Sequence, residues 1–384
     1  MNILHISPYY APAYAFGGVA RAVEGLAQAL AKRGHQVTVL TTDALTQTDR
    51  YSGALDTVEN GVEVVRVPNL SVWLRGRANL STPLGMRGTA ADLVAQADVI
   101  HCHEFRTVEN LMITPVAARM GKRIILSPHG TLATNTGRST LKIWWDRLLS
   151  PAVAMRIHTV VALTNVELNE AQVLWAALGA RSNFAVVPNG VNEGEFAALA
   201  DGAAFRAQWR IGEHERVCLF MGRLHPRKGI DILIPAFKSA NVPNSRLVIA
   251  GPDEGTLEQI RPTLDESIIV TGYLNSAERK AALAAADLFA LPATGEGLSM
   301  AVLEAMAAGV PPILTPGCNL PEAAEAGAGI LVEPEIEPLA NALRDLLSNP
   351  ALSREMGERA QALIRERFTW QRAAEQMESI YQHP

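Results

Sequence analysis

Short apolar runs alternate with segments of helical periodicity along most of the chain. The runs at 2–7 and 36–42 flank a segment, 18–33, whose apolar residues recur every three or four positions. Eight further runs follow at 62–67, 99–102, 123–127, 159–163, 217–221, 246–250, 268–271 and 287–291. Such alternation predicts parallel, doubly wound α/β sheets, which bind ligands beyond the carboxyl ends of their strands.

The runs fall into two series that an irregular polar stretch separates. The segment VPNGV at 187–191 carries a turn signal, and the residues that follow it to Asp201 lack periodicity. A chain of 384 residues also exceeds the usual size of one domain. We therefore predict an N-terminal domain at 1–190, a C-terminal domain at 191–368 and a closing helical segment at 369–384.

The composition is that of a globular protein, with 48% hydrophobic and 19% charged residues. Three well-separated cysteines, Cys102, Cys218 and Cys318, give neither a disulfide framework nor a zinc motif, which fits a reducing cytoplasm. No apolar run reaches the length of a membrane span, and the first residues lack the layout of a signal peptide. We expect a cytoplasmic protein that is soluble or peripheral to the membrane.

The charge is divided unevenly between the two halves. Residues 1–190 carry 17 Lys and Arg against 13 Asp and Glu, whereas the remaining residues carry 17 against 26. The basic half favours an anionic partner such as a lipid-linked phosphate or a membrane surface, although solvated faces would give the same count. We expect no nucleic-acid partner.

One apolar stripe has strict helical spacing: Leu141, Trp144, Trp145, Leu148 and Leu149. The simpler interpretation is a helix packed on the sheet. The alternative is an interfacial helix that lies on a membrane, because three basic residues flank the two tryptophans: Arg138, Lys142 and Arg147.

Two carboxylates surround the start of a predicted helix in TGEGLSMAVLEAMAAGVPP, residues 294–312. Glu296 lies just before this helix and Glu304 lies within it. Gly297, Leu298 and Ser299 fall where the first N–H groups of a helix lack partners, so an anion could bind there. Phosphate on the amides and sugar or ribose hydroxyls on the carboxylates is one interpretation. The other is that Glu296 is solvated and Glu304 caps or pairs locally.

A basic loop, GRLHPRKGID at 222–231, follows the strand predicted at 217–221 and leads into a helix. The cations of Arg223 and Lys228 could converge with the helix dipole on one anion, for which a diphosphate is the natural candidate. Alternatively, both are surface bases.

A glycine pair, Gly17 and Gly18, stands at the entrance to the first helix, where a missing Cβ lets a ligand approach the amides. The pair could equally form only a tight turn. The absence of G-x-G-x-x-G counts against a dinucleotide dehydrogenase.

Histidines follow two of the predicted strands. His129, with Gly130 after it, could hydrogen-bond a sugar or the reacting centre. We interpret His101 and His103, at the end of the run 99–102, as structural.

Taken together, these segments resemble the retaining glycosyltransferases of family 4, which have the GT-B fold. The resemblance covers nearly the whole chain and rests on GGVAR, SPHG, VPNGV, GRLHPRKGID, AGPDEG, TGYL and EGLSMAVLEAMAAGVPPI. It implies two Rossmann-like domains facing across a cleft, the C-terminal one holding a nucleotide sugar and the N-terminal one the acceptor. It also implies that the last helix, 370–381, returns to the N-terminal domain.

The resemblance implies roles for the residues around the diphosphate. Arg223 and Lys228 would bind it, and Gly17 and Gly18 would let backbone amides reach it. His129 would lie near the reacting carbon of the donor sugar.

Further roles concern the sugar and the nucleoside. Glu296, with the amides of 297–299, would face the sugar hydroxyls, and Glu304 would hydrogen-bond the ribose. The backbone of Tyr273 and Leu274 would face the base.

The predicted function is transfer of a sugar, with retention, from a nucleotide sugar to a glycan or lipid-linked acceptor in cell-envelope or exopolysaccharide biosynthesis. A glycosidase is disfavoured because both carboxylates accompany a cationic diphosphate clamp. In the mechanism that the family favours, the acceptor attacks from the front face and the leaving phosphate takes its proton. The two bases can replace a metal, so we expect none and no further cofactor. Alternatives are an inactive sugar-nucleotide-binding partner, an inverting GT-B transferase and a sugar-nucleotide epimerase.

Overall fold

The fold is taken from a computed structural model that describes residues 1–78, 80–133, 139–196, 199 and 202–382. The chain divides into two compact units. Unit 1 comprises Met1–Gly190 together with Trp370–Pro384, and unit 2 comprises Val191–Thr369. Each unit contains one sheet with helices, as the alternating pattern predicts.

The sheet of unit 1 has eight strands in the order β3-β4-β2-β1-β5-β6-β7-β8. The strands are β1 (Asn2–Ile6), β2 (Gln36–Thr42), β3 (Asp56–Glu59), β4 (Val62–Val67), β5 (Val99–His103), β6 (Arg123–Ser127), β7 (Thr159–Ala162) and β8 (Asn183–Val186). All neighbouring strands are parallel except β3 and β4. The chain order reverses between β1 and β5, which makes their carboxyl ends the expected ligand-binding edge.

Helices cover both faces of this sheet. They are α1 (Gly18–Lys32), α2 (Val72–Ala78), α3 (Met86–Gln96), α4 (Val108–Arg119), α5 (Ser139–Leu148), α6 (Ser150–Ala154) and α7 (Asn165–Ala177). Because successive side chains of a strand point to opposite faces, Ile3 belongs to the core beneath α1 and Leu4 to the core that includes Met86 of α3.

The sheet of unit 2 has six parallel strands in the order β11-β10-β9-β12-β13-β14. The strands are β9 (Arg216–Met221), β10 (Ser245–Ala250), β11 (Ile268–Gly272), β12 (Leu288–Leu291), β13 (Pro312–Leu314) and β14 (Ile330–Leu331). Here the chain order reverses between β9 and β12. The loops after these two strands therefore share the edge at which ligands bind in such sheets.

The helices of unit 2 are α8 (Ala203–Gln208), α9 (Ile230–Ala240), α10 (Leu257–Ile260), α11 (Ser276–Ala285), α12 (Met300–Ala307), α13 (Glu322–Glu325), α14 (Ile336–Ser348) and α15 (Pro350–Arg367). Helix α14 buries its apolar side, which includes Leu339, Leu343 and Leu346. The last helix of the chain, α16 (Trp370–Gln382), belongs to unit 1.

Helix α16 packs against α1 within unit 1. Its residues Ala374 and Met377 join the core that contains Leu30 of α1. At the end of α1, the guanidinium of Arg33 pairs with Glu378 at 2.6 Å. The fold thus brings the two ends of the chain into one unit.

Helix α5 leaves most of its apolar stripe exposed. Leu141 is 51% exposed, Trp144 55% and Leu148 67%. The interpretation of this stripe as a face packed on the sheet is therefore wrong for these three side chains. Arg138 lies outside the described residues. Among the helices that the structure describes, none combines the length and the hydropathy needed to span a bilayer.

Candidate active site

Glycines bring the loops after β9 and β10 together in unit 2. A Cβ atom on Gly251 would overlap the carbonyl oxygen of Gly222, and the φ of Gly251 is 145°. Only glycine suits both the approach and the backbone conformation. Next to this contact, Arg223 extends to Glu254 and pairs with its carboxylate at 2.7 Å.

The loops after β9 and β12 meet at the other side of β9. The amide of Thr294 donates to the carbonyl of Arg227 at 2.9 Å, which joins the two loops. Across this junction, the ammonium of Lys228 lies 2.8 Å from the carboxylate of Glu296, and the two side chains are only 14% and 15% exposed. The structure thus brings together a cation and a carboxylate that the sequence places 68 residues apart.

Helix α12 carries the second carboxylate. Glu304 is buried and forms an ion pair with Arg279 of α11. The helix begins at Met300, so Gly297 and Leu298 precede it and Ser299 occupies the N-cap position. This is a later start than the sequence predicted. The side chain of Ser299 makes no capping bond, which leaves the first amides of α12 to other acceptors.

The predicted base-binding segment follows β11. Tyr273 is exposed and Leu274 is buried. The amide of Gly251 donates to the carbonyl of Gly272 at 2.8 Å, so this segment lies beside the loop after β10.

Three ion pairs lie along this edge among the described residues: Arg223 with Glu254, Lys228 with Glu296 and Arg279 with Glu304. Glu254 belongs to the AGPDEG motif, but nothing in the sequence predicts its pairing with Arg223. Arg279 lies in no motif, so its pairing with Glu304 was not predicted either. An anionic ligand that binds Arg223 and Lys228 would have to replace two of these carboxylates. The released carboxylates could then accept hydrogen bonds from hydroxyls.

The corresponding edge of unit 1 has glycine backbone at the start of α1. Gly17 has a φ of 114° and occupies the N-cap position without any side-chain cap, and the helix begins at Gly18. Near the ends of β5 and β6, Glu104 and His129 have φ values of 59° and 57°. Residues other than glycine rarely adopt this conformation, and such residues cluster at functional sites.

Histidines on two adjacent strands, β1 and β5, and in the loop after β6 form a buried network. His5 and His103 are joined by a hydrogen bond of 2.8 Å between Nδ1 and Nε2, and His103 is joined to His129 in the same way, also at 2.8 Å. His101 instead bonds Ser127 at 2.8 Å and Tyr381 at 2.7 Å. The interpretation of His103 as merely structural is thus incomplete, because it contacts the one histidine predicted to be functional.

Burial keeps these imidazoles neutral. Desolvation lowers the pKa of His5 to about 3 and that of His129 to about 4, and it holds the pKa values of His101 and His103 well below the ordinary value. His5 escaped the sequence reasoning altogether. Only the pairing of β1 with β5 reveals its place, because this pairing puts His5 directly opposite His101.

A buried carboxylate fixes the backbone next to His129. Glu167, in the first turn of α7, accepts hydrogen bonds from the amides of Gly130 and Leu163. Burial raises the pKa of Glu167 to about 7, against the opposing effect of these two bonds. The side chain therefore links α7 to the loop that carries His129.

Comparison with known families gives two matches, which lie one after the other along the chain. The family described as Glycosyltransferase Family 4 matches residues 16–195, and the family described as Glycosyl transferases group 1 matches residues 201–363.

Two relatives illustrate the similarity in sequence. A GDP-mannose-dependent monoacylated alpha-(1-6)-phosphatidylinositol monomannoside mannosyltransferase of Corynebacterium glutamicum is 29% identical over 304 residues, which cover 75% of this chain and 79% of the relative. An uncharacterized glycosyltransferase of Methanocaldococcus jannaschii is 27% identical over 410 residues, which cover 99% of this chain and 98% of the relative.

Solved structures show the same fold over the whole chain. A sucrose-phosphate synthase from Thermosynechococcus elongatus superimposes with a TM-score of 0.77 at 20% identity, covering 99% of this chain and 98% of the other. The Anabaena protein HepE, in complex with UDP and glucose, gives a TM-score of 0.76 at 20% identity, covering 100% of this chain and 99% of the other.

Proposed function

This chain belongs to glycosyltransferase family 4 and transfers a sugar from a nucleotide-sugar donor, and we propose that it does so with retention of anomeric configuration. The proposed acceptor is a glycan or lipid-linked precursor of the cell envelope or of an exopolysaccharide. The relative from C. glutamicum, which is named for a phosphatidylinositol mannoside, supports a glycolipid acceptor.

The proposal rests on the ion pair between Lys228 and Glu296. This pair lies where the strand order of the unit 2 sheet reverses, between β9 and β12. The donor diphosphate would take the place of Glu296 on Lys228 and of Glu254 on Arg223. Glu296, once released, would accept hydrogen bonds from the donor sugar. The amides of residues 297–299 lie beside it and would contact the same group.

The nucleoside would bind farther along the same edge. Arg279 holds one carboxylate oxygen of Glu304, and the ribose hydroxyls would bind this carboxylate. The backbone of Tyr273 and Leu274 would face the base. The predicted roles of Gly17, Gly18 and His129, all in unit 1, stay predictions.

Retention follows from front-face attack in the proposed mechanism. The bond between the anomeric carbon and the phosphate oxygen breaks while the acceptor oxygen bonds the same face, and the departing phosphate takes the acceptor's proton. Arg223 and Lys228 stabilise the charge that grows on the diphosphate, as a metal ion would, so the proposal needs no metal. Loss of either cation should cost on the order of 3 kcal/mol, or ~100-fold in rate.

Product configuration tests this proposal against its alternatives. GDP-mannose, UDP-glucose and ADP-glucose, each labelled with ¹³C in the sugar, would be supplied with phosphatidylinositol monomannoside and followed by NMR. A product, on this acceptor or on water, that keeps the donor's configuration supports the proposal. Inversion would establish an inverting transferase, an altered sugar nucleotide an epimerase, and binding without turnover an inactive partner.

We also propose that unit 1 binds the inner face of an anionic membrane through α5. The exposed side chains of Leu141, Trp144 and Leu148 would enter the interface, and Arg147 on the same helix is exposed. The net positive charge of residues 1–190 favours such a surface.

Sedimentation with vesicles of phosphatidylglycerol and phosphatidylcholine tests the membrane contact. The double variant Trp144→Ser, Leu148→Ser should lose binding. Val173→Ser is the matched control, because Val173 is an exposed apolar residue of unit 1 on a different helix, α7. Equal binding by the wild type and the double variant would contradict the proposal.

A further inference from the structure

Three imidazoles form a linear chain that ends at His129. His103 is the middle member, with Nε2 bonded to Nδ1 of His5 and Nδ1 bonded to Nε2 of His129, each at 2.8 Å. The ring of His103 is stacked on those of His5 and His129, with centroids 5.1 Å apart in both cases. Two nitrogens at the ends of the chain, Nε2 of His5 and Nδ1 of His129, are buried and have no partner among the described residues.

The proton positions of the three rings depend on one another. A neutral imidazole has one N–H donor and one acceptor nitrogen. If Nδ1 of His5 carries the proton, it donates to His103, whose own proton then lies on Nδ1 and is donated to His129. In the opposite arrangement every proton lies on Nε2. The tautomer of His129 therefore cannot change unless those of His103 and His5 change with it.

The two end members of the imidazole chain, His5 and His129, distinguish the two proton arrangements. With protons on Nε2, His5 would keep an orphan N–H inside the sheet, and buried N–H groups without an acceptor are rare. With protons on Nδ1, the unpartnered N–H belongs to His129 and is buried as well, but it lies in the loop after β6, at the carboxyl edge of the sheet, where a bound ligand can supply the acceptor. Phosphate and sugar oxygens of a ligand at this edge can accept that proton.

We propose that His5 and His103 are positioning residues that hold His129 in the Nδ1–H tautomer, so that it can donate a hydrogen bond to an oxygen of a ligand at this edge of unit 1. The inference rests on the proposed function, in which a nucleotide-sugar donor binds, and on the predicted place of His129 near that donor. The carboxylate of Glu167 fixes the backbone at Gly130, and the imidazole chain fixes the proton of the ring.

A metal site is the competing interpretation of the same cluster. Nitrogens of His5, His101 and His103 lie within 4.8 Å of one another. Hydrogen bonds, however, occupy both nitrogens of His101 and both of His103. A metal ion would have to break several of these bonds, whereas the imidazole chain uses them as they stand.

His101 provides a matched control for the chain. It is buried in the same cluster, and its ring centroid lies 4.2 Å from that of His103, yet its hydrogen bonds go to Ser127 and Tyr381. Replacing His101 changes a neighbouring buried ring but leaves the three-membered chain of imidazoles intact. Replacing His103 removes both links.

The test is ¹⁵N NMR of the histidine rings in the full-length protein at pH 7.5. We expect His129 to be the Nδ1–H tautomer in the wild type and in His101→Gln. In His103→Leu the tautomer ratio of His129 should change about fivefold, as expected for the loss of one hydrogen bond of about 1 kcal/mol. Donor turnover should fall by a similar factor in His103→Leu.

Three results would overturn the inference: an Nε2–H tautomer of His129 in the wild type, an unchanged tautomer in a folded His103→Leu variant, or stoichiometric zinc in the purified protein. The wild-type spectrum tests the predicted tautomer of His129 even if the His103→Leu variant does not fold. His129→Ala separates this inference from the proposed function. Full activity in that variant would overturn the hydrogen bond that His129 donates to a ligand, and it would leave the proposed diphosphate site of unit 2 standing.

Discussion

At the scale of residues, the proposed donor site lies at the carboxyl edge of the unit 2 sheet, where a ligand would compete with carboxylates for Arg223 and Lys228. Lys228 and Glu296 are largely shielded from solvent, so their attraction is offset by the cost of desolvating both groups. Such a pair can exchange partners at little net cost when a diphosphate supplies negative charge. The same carboxylate is then free for the sugar.

Glu296→Gln should separate sugar recognition from phosphate recognition. The variant keeps the size of the side chain but leaves Lys228 without its anionic partner. We expect a nucleoside diphosphate to bind as tightly as it does to the wild type, or more tightly, while the extra affinity contributed by the sugar falls about tenfold. Calorimetry with UDP and UDP-glucose, or with GDP and GDP-mannose, measures both. Equal weakening of both ligands would contradict the assignment, and Glu258→Gln is an exposed control.

Glu167 should give unit 1 a characteristic pH dependence. Its folded pKa is about 7, above the ordinary 4.5, so the folded state binds more protons between these values. This residue therefore lowers the free energy of unfolding as pH rises from about 4.5 to 7, by about 3 kcal/mol. In Glu167→Gln this component disappears, and the stability of the variant relative to the wild type should increase from pH 5 to pH 8. Urea unfolding at these two pH values measures it, and a constant difference would contradict the assignment.

Residue types at strand ends were predictable, and their partners were not. Arg223, Lys228 and Glu296 stand out because they lie in the segments that follow apolar runs predicted to be strands. Arg279 and Glu254 become visible only when separate elements are packed together. His103 was visible but isolated, because nothing in the sequence near it points to His5.

At the scale of elements, strong apolar runs became strands and weak ones escaped notice. The edge strand β3 has the sequence DTVE and a half-exposed face, so it lacks an apolar run. Strand β14 has only two residues. The apolar stripe of α5 has the spacing of a buried helix face, but its side chains are exposed. Periodicity predicts that a helix has an apolar face, but it does not predict what packs against that face.

The contact between α1 and α16 depends on a glycine. A Cβ atom on Gly25 would overlap the indole of Trp370. Gly25→Ala should therefore destabilise the protein by about 1–3 kcal/mol, although alanine favours helices. Gly88→Ala, in α3, is the control. No atom lies within 4 Å of its Cβ position, so this change should stabilise by about 0.5–1 kcal/mol. Denaturant midpoints measure both, and a neutral or stabilising Gly25→Ala would contradict the packing.

At the scale of the whole molecule, the fold repeats one arrangement in two units. Each sheet reverses its chain order beside its first strand, and each reversal places glycines and polar side chains at the carboxyl edge. The alternating pattern of the sequence was sufficient to predict the α/β class. The neutral histidines in the middle of one sheet were not predictable, and we expect them to determine how the stability of the protein changes with acid.

The protein should lose stability steeply below pH 6. Four buried histidines have folded pKa values far below their unfolded value of about 6.5, so the unfolded state binds more protons as pH falls. The raised pKa values of Glu109 and Glu167 oppose this by at most one proton each. Unfolding then takes up about two protons, so the free energy of unfolding falls by ~3 kcal/mol for each unit by which the pH is lowered. Urea unfolding from pH 6.5 to pH 5 measures it, and constant stability over this range would contradict the neutral network.

Calorimetric titration with UDP, GDP and ADP tests most directly the claim that unit 2 binds the diphosphate of the donor. One nucleotide should bind the wild type and the exposed-surface control Arg261→Ala equally well. Arg223→Ala and Lys228→Ala should each bind it at least about tenfold more weakly, because each loses a charged hydrogen bond. Unchanged affinity in both of these variants, or no binding of any nucleotide by the wild type, would contradict the account.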